Sequence, residues 1–247
     1  MGRSEDIDRR FPAGIVAAAV LLLTLMLPRI LPEPAAKIPE PTHAPEQTRA
    51  TTTLPYTGPR IEFPCPLADG QLEIGSLFSF SGINPDCGKQ EGENIAAIRL
   101  RNVSDSFLAR GELTLTLSEG TVLNFEVTDL PAGGSAMVIS SRNQLLPDGA
   151  FCTDVYWEGA FEEPDSALLE MLAVSTQDVT VTVTNLWDRD LHNLVVYCRS
   201  RFGDDYFGGV TYMYTIEKLP AGGTANVEAW DCIPGTAEVV RIATNES

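Results

Sequence analysis

Positive charge is what this chain most lacks. Its 247 residues hold 17 Lys and Arg against 34 Asp and Glu, a formal net charge of −17. Residues 1–59 carry six of each sign, so the whole excess falls on residues 60–247, with eleven basic and twenty-eight acidic groups. Phosphate binding needs Lys and Arg to displace counterions, so this surface excludes nucleic acid as a partner and disfavours anionic headgroups. Histidine is nearly missing too. His43 lies in a Pro-rich stretch, and His192 follows Asp188-Arg189-Asp190-Leu191 in a polar turn, so no general base stands ready for a Ser or Cys nucleophile. No catalytic residue is expected. No two of the five cysteines form a C-x-x-C pair, and none has a nearby His, so neither a zinc site nor any other metal site is expected. The carboxylate pairs Asp188/Asp190 and Asp204/Asp205 each offer too few oxygens for Ca²⁺, and the strand between them keeps them apart. No cofactor motif is present.

Long apolar runs are equally scarce, with one conspicuous case. Residues 11–27 hold seventeen uncharged positions rich in Ala, Val and Leu. As a helix they span about 25 Å, near the lower limit for a bilayer, and Ile30 and Leu31 extend the segment if Arg29 snorkels. Arg3, Arg9 and Arg10 precede it, so residues 1–10 are expected in the cytoplasm and 11–31 as a single-pass signal-anchor helix. The competing reading is a cleaved signal peptide, for which Pro34-Ala35-Ala36 is a poor cleavage site.

Residues 32–59 contain seven prolines, a Thr triplet and almost no large apolar side chains. Such a segment cannot bury a core and predicts a disordered stalk, reaching on the order of 80–90 Å if extended as polyproline II. Within it Leu54-Pro55-Tyr56-Thr57-Gly58 matches the pattern cleaved by sortases, but it stands before a globular region, so a stalk turn is expected.

What the chain does have is a repeat. Leu130-Pro131-Ala132-Gly133-Gly134 returns as Leu219-Pro220-Ala221-Gly222-Gly223, and Asn102 and Asn185 close the strands upstream. Around each copy run short alternating segments: 72–80, 95–102, 112–117, 122–127, 136–140 and 153–161, then 168–175, 179–185, 194–201, 209–216, 225–230 and 237–243. Alternation with period two and turn signals between segments predict strands. Aligning the asparagines and then the turns shows six extra residues in the second copy, all within 202–209. The prediction is all-β: two tandem immunoglobulin-like antiparallel β-sandwiches, 60–163 and 164–247, behind the helix and stalk.

The segment Ile98-Arg99-Leu100-Arg101-Asn102-Val103-Ser104-Asp105, followed by paired strands and Leu-Pro-Ala-Gly-Gly, resembles the FxLYD-type and related Ig-like modules of bacterial membrane-anchored surface proteins. That resemblance implies no enzymatic activity. Anchor, stalk and repeats together predict a binding or scaffold protein outside the cell membrane, with a protein or a cell-wall polymer as the candidate ligand. Alternatives are a secreted or envelope subunit of a larger surface or secretion complex and, more remotely, a carboxylate-based hydrolase.

Cysteines downstream of an apolar segment suggest disulfides in an oxidising compartment. Cys198 with Cys232, and Cys65 with Cys87, are the expected bonds, leaving Cys152 over. The inserted stretch, with Phe202, Asp204, Asp205, Tyr206 and Phe207, is the expected contact loop if its aromatics are exposed. Trp157, Trp187 and Trp230 are expected to pack in cores or interfaces.

Overall fold

The computed structural model describes residues 57–163, 168 and 170–244. The expected anchor helix and nearly all of the stalk lie outside the described residues. Among the described residues no helix is long and apolar enough to cross a membrane.

The protein is all-β. Among the described residues thirteen strands follow in order: β1 (Cys65–Leu67), β2 (Leu72–Asn84), β3 (Gln90–Asn102), β4 (Phe107–Leu117), β5 (Val122–Leu130), β6 (Ser135–Ile139), β7 (Cys152–Glu162), β8 (Leu172–Gln177), β9 (Thr180–Asn185), β10 (Leu191–Phe202), β11 (Asp205–Leu219), β12 (Thr224–Glu228) and β13 (Ala237–Thr244). Each segment read from alternation contains a strand, although 168–175 enters one only at Leu172. The largest difference falls on 82–92, between the alternating segments 72–80 and 95–102. There β2 and β3 continue as a hairpin, because Asn84 accepts the Asp86 N–H at 3.0 Å and so closes a one-turn 3-10 reversal over Pro85–Cys87.

Each repeat folds into two small sheets packed face to face. In the first, β2-β3-β6 covers β5-β4-β7, and Ile74, Ile98 and Val138 meet Leu113, Leu115 and Phe125 between them. In the second, β8-β9-β12 covers β11-β10-β13, with Val181, Val183 and Val227 against Val196, Ile216 and Ile242. The alternating side chains supply these inner faces, as a half-buried strand requires.

The turn shared by the repeats has one physical cause. Asn102 is fully buried, and its amide donates to the carbonyls of Ser106, Leu130 and Pro131 at 2.8, 3.1 and 3.1 Å. Asn185, also fully buried, donates to Arg189, Leu219 and Pro220 at 2.8, 3.2 and 3.0 Å. In each copy the second Gly of the turn donates to the Pro carbonyl, at 2.9 and 2.8 Å, and its own carbonyl accepts from the Asn backbone. An amide with two donors is the neutral side chain suited to a cluster of buried carbonyls.

The expectation of two separate lobes needs correction. The halves share one seven-stranded sheet, ordered β1-β2-β3-β6-β11-β10-β13. It is joined by a parallel pairing in which Ser135, Ala136 and Met137 of β6 face Asp205, Tyr206 and Phe207 of β11. The insertion makes this joint. Cys198 pairs with Tyr212 as Leu115 pairs with Leu123, so the repeats match up to that point. Beyond it the six extra residues prolong β10 and β11 until the hairpin reaches the edge of β6.

Candidate functional site

The hairpin expected as a projecting contact loop is mostly built into this joint. Tyr206 points into the first core, 6% exposed, and its hydroxyl donates to Glu238 at 3.0 Å. Asp205 accepts from Ser135 Oγ at 2.5 Å and pairs with Arg99 at 3.0 Å. Phe207 sits edge-on to Phe80 at 5.8 Å. Only the tip stays open: Phe202 is 51% exposed and meets Phe207 edge-on at 5.3 Å. Asp204 lines a polar cleft beside it.

Two hollows flank the hairpin. An apolar groove of about 460 Å³ is lined by Ile83, Met137, Phe202, Phe207 and Ile233. A polar cleft of about 510 Å³ runs along the first Pro131–Ser135 turn, bounded by Arg101, Arg201, Asp204 and Tyr206. Arg201 is held across it by two hydrogen bonds to Glu238, at 2.8 and 3.0 Å.

Beneath them lies a buried charged node that the sequence reading missed. Arg199 is fully buried, donating to Thr128 O at 3.0 Å and to Gly208 O, with its guanidinium 5.1 Å from the Tyr206 ring centre. Burial pulls its pKa down to about 10, opposed chiefly by the charge of Asp86. Asp86 reaches across from the β2–β3 turn to accept the Gly209 N–H at 2.5 Å, and burial raises its carboxyl above the ordinary range. Asp129 is raised for the same reason, with Arg241 opposing from 3.4 Å. The approach is close enough to require glycine. A Cβ at Gly209 would overlap the Glu126 carbonyl oxygen, and one at Gly208, where φ is +88°, would fall 2.6 Å from Asp86. Lys89 adds a clasp by donating to the carbonyls of Trp230 and Cys232 at 2.5 and 3.1 Å. The signal available in the sequence was Arg199, the first of two arginines that follow the apolar run Leu194–Cys198 of β10, together with the pair Gly208-Gly209 in the next strand.

The five cysteines are free thiols. The expected Cys65–Cys87 bond is corrected by the fold. Cys65 is in register with Ile74, whereas Cys87 follows Asn84, so about 33 Å of strand separates them. The neighbour of Cys65 is instead Cys152, whose thiol is raised first by burial and then by the charge of Cys65. Cys198 and Cys232 both lie in the second core as thiols, pushed up by burial to about 12 and about 11.

His192 is exposed, on β10 opposite Lys218. Asp190 is tied to Lys218 at 2.7 Å and to the Ala221 N–H at 3.0 Å, which accounts for its lowered carboxyl. Trp157 packs on the first core and Trp187 on the second, but Trp230 is 67% exposed, contrary to the expected packing. No protein-family model matches the chain, and no curated protein matches it.

Proposed function

We propose that the chain is a non-enzymatic binding or scaffold protein on the outer side of a cell membrane. Residues 11–31 anchor it, 32–59 form a stalk, and the two Ig-like repeats present a ligand-binding joint. The observation that carries this reading is the apolar groove with Phe202 half-exposed at its rim, set on a joint stiffened by Arg199 and Asp86. A ligand meeting this groove loses little freedom in the protein itself, and pre-organisation is where binding energy is conserved. An aromatic rim fits a protein segment or the sugar faces of a cell-wall polymer.

Fractionation tests the location. The full-length chain, 26.8 kDa, is expected in membranes with residues 60–247 open to added protease from outside. Recovery from the cytosol overturns it. A shortened product in the supernatant favours the secreted-subunit reading, for which the poor cleavage site at 34–36 is the relevant feature. Co-sedimentation with purified cell wall tests the groove: Phe202→Ser is expected to weaken retention while the urea midpoint stays unchanged.

A further inference from the structure

The outward face of the shared sheet is apolar where an antiparallel sheet in water is ordinarily polar. Strand β3 is covered on both sides. Its Ala96, Ile98 and Leu100 face the first core, while Ile95 and Ala97 are fully buried in a third cluster with Ile139. Phe78, Phe80 and Phe207 pack over that cluster from outside. The apolar groove continues it, since Phe207 belongs to both, and the groove's rim stays open, with Ile83 41% and Phe202 51% exposed.

The lining selects among occupants. Ile83, Met137, Phe202, Phe207 and Ile233 carry no hydroxyl, amide or charged group. A sugar laid there would bury hydroxyls without side-chain partners. Phe202 and Phe207 also meet at 88°, so together they make no flat platform on which a sugar ring stacks. Apolar side chains of a polypeptide meet neither obstacle.

Charge narrows the choice again. Glu91 stands directly across from Ile83, exposed and in no ion pair among the described residues. Asp204, also exposed, follows Phe202 by two residues. Basic groups of the same region are engaged already: Arg99, opposite Met137, pairs with Asp205, Arg201 pairs with Glu238, and Lys89 holds the carbonyls of Trp230 and Cys232. A second copy would bring a further charge of −17 to this face, so self-association is opposed. We infer that the groove takes up a segment of a partner protein with aliphatic or aromatic side chains at its centre and basic residues on either side. This occupant presupposes that the groove is the ligand site.

The probe is a blocked heptapeptide, Lys-Ser-Leu-Phe-Ile-Ser-Lys, with a twin carrying Glu at both ends and an N-acetylglucosamine tetrasaccharide as the sugar probe, each added to the full-length chain. The lysine peptide is expected to bind, to slow amide exchange at residues 202–207, and to weaken as salt is raised. Phe202→Ser and Ile83→Ser should each lower its affinity about tenfold with the urea midpoint retained. Glu91→Gln should lower it roughly two- to fivefold and flatten the salt dependence. Failure of the lysine peptide to bind, or equal binding of its twin, overturns the proposal. A tetrasaccharide that binds in the peptide's place, and is weakened by Phe202→Ser, leaves the groove as the ligand site but overturns the protein partner. Binding of either probe that Phe202→Ser and Ile83→Ser leave unchanged removes the groove as the site and the proposal with it. Concentration-dependent dimerisation abolished by Phe202→Ser would show a second copy as the occupant and overturn it too.

Discussion

Asn102 and Asn185 are the residues on which each repeat turns. Replacing either with Ala removes three hydrogen bonds to carbonyls at the turn, of which the Pro carbonyl keeps its bond from the turn glycine, and a loss of about 1–3 kcal/mol in urea unfolding is expected. Asp should be worse than Ala at neutral pH, since a carboxylate would face those carbonyl oxygens, and acidification should relieve part of the loss. Asp129 titrates in a definite direction. Its folded pKa lies above the ordinary 3.8, so its contribution to stability is full below that value and is lost as pH rises through the folded value. Wild type should therefore gain stability relative to Asp129→Asn as pH is lowered from 7 toward 4, and a relative loss over that range would contradict the assignment. These asparagines were legible as the ends of strands. Their burial was not, because nothing in the strand pattern says how many carbonyls a turn will collect.

At the scale of elements, the prolonged β10–β11 hairpin decides how the repeats meet. Gly209→Ala places a methyl group on the Glu126 carbonyl oxygen, and a loss of about 1–3 kcal/mol is expected, with faster proteolysis at the joint. The alternation of β4 and β5 identified both strands, since Leu113, Leu115 and Leu117 face one core and Glu112, Thr114 and Thr116 do not. Asp205-Tyr206-Phe207 shows no such alternation, and its place in an insertion favoured an outward tip. Which edge an added hairpin meets depends on the distance to β6, and local periodicity carries no such distance.

At the scale of the molecule, a shared sheet predicts one unfolding event. Trp157 reports on the first half, and Trp187 with Trp230 on the second, so single-half tryptophan variants should give coincident urea transitions. Arg199→Met leaves Asp86 buried without its counter-charge, and a loss of about 3–5 kcal/mol is expected, with the two transitions drawn apart. Adding Asp86→Leu should recover part of that loss, as a buried pair removed together is milder than a pair broken. Transitions that stay separate in the wild type would show the halves to be independent.

The sequence by itself determined the all-β class, the strand pattern, the repeat and the acidic surface, because each rests on period-two alternation or on counting. Only the tertiary structure decided that β6 and β11 pair in parallel, that Arg199 is buried opposite Asp86, and that Cys65 stands by Cys152 rather than Cys87. Those are relations between segments far apart in the chain, fixed by which surfaces fit together, and no local pattern encodes a fit.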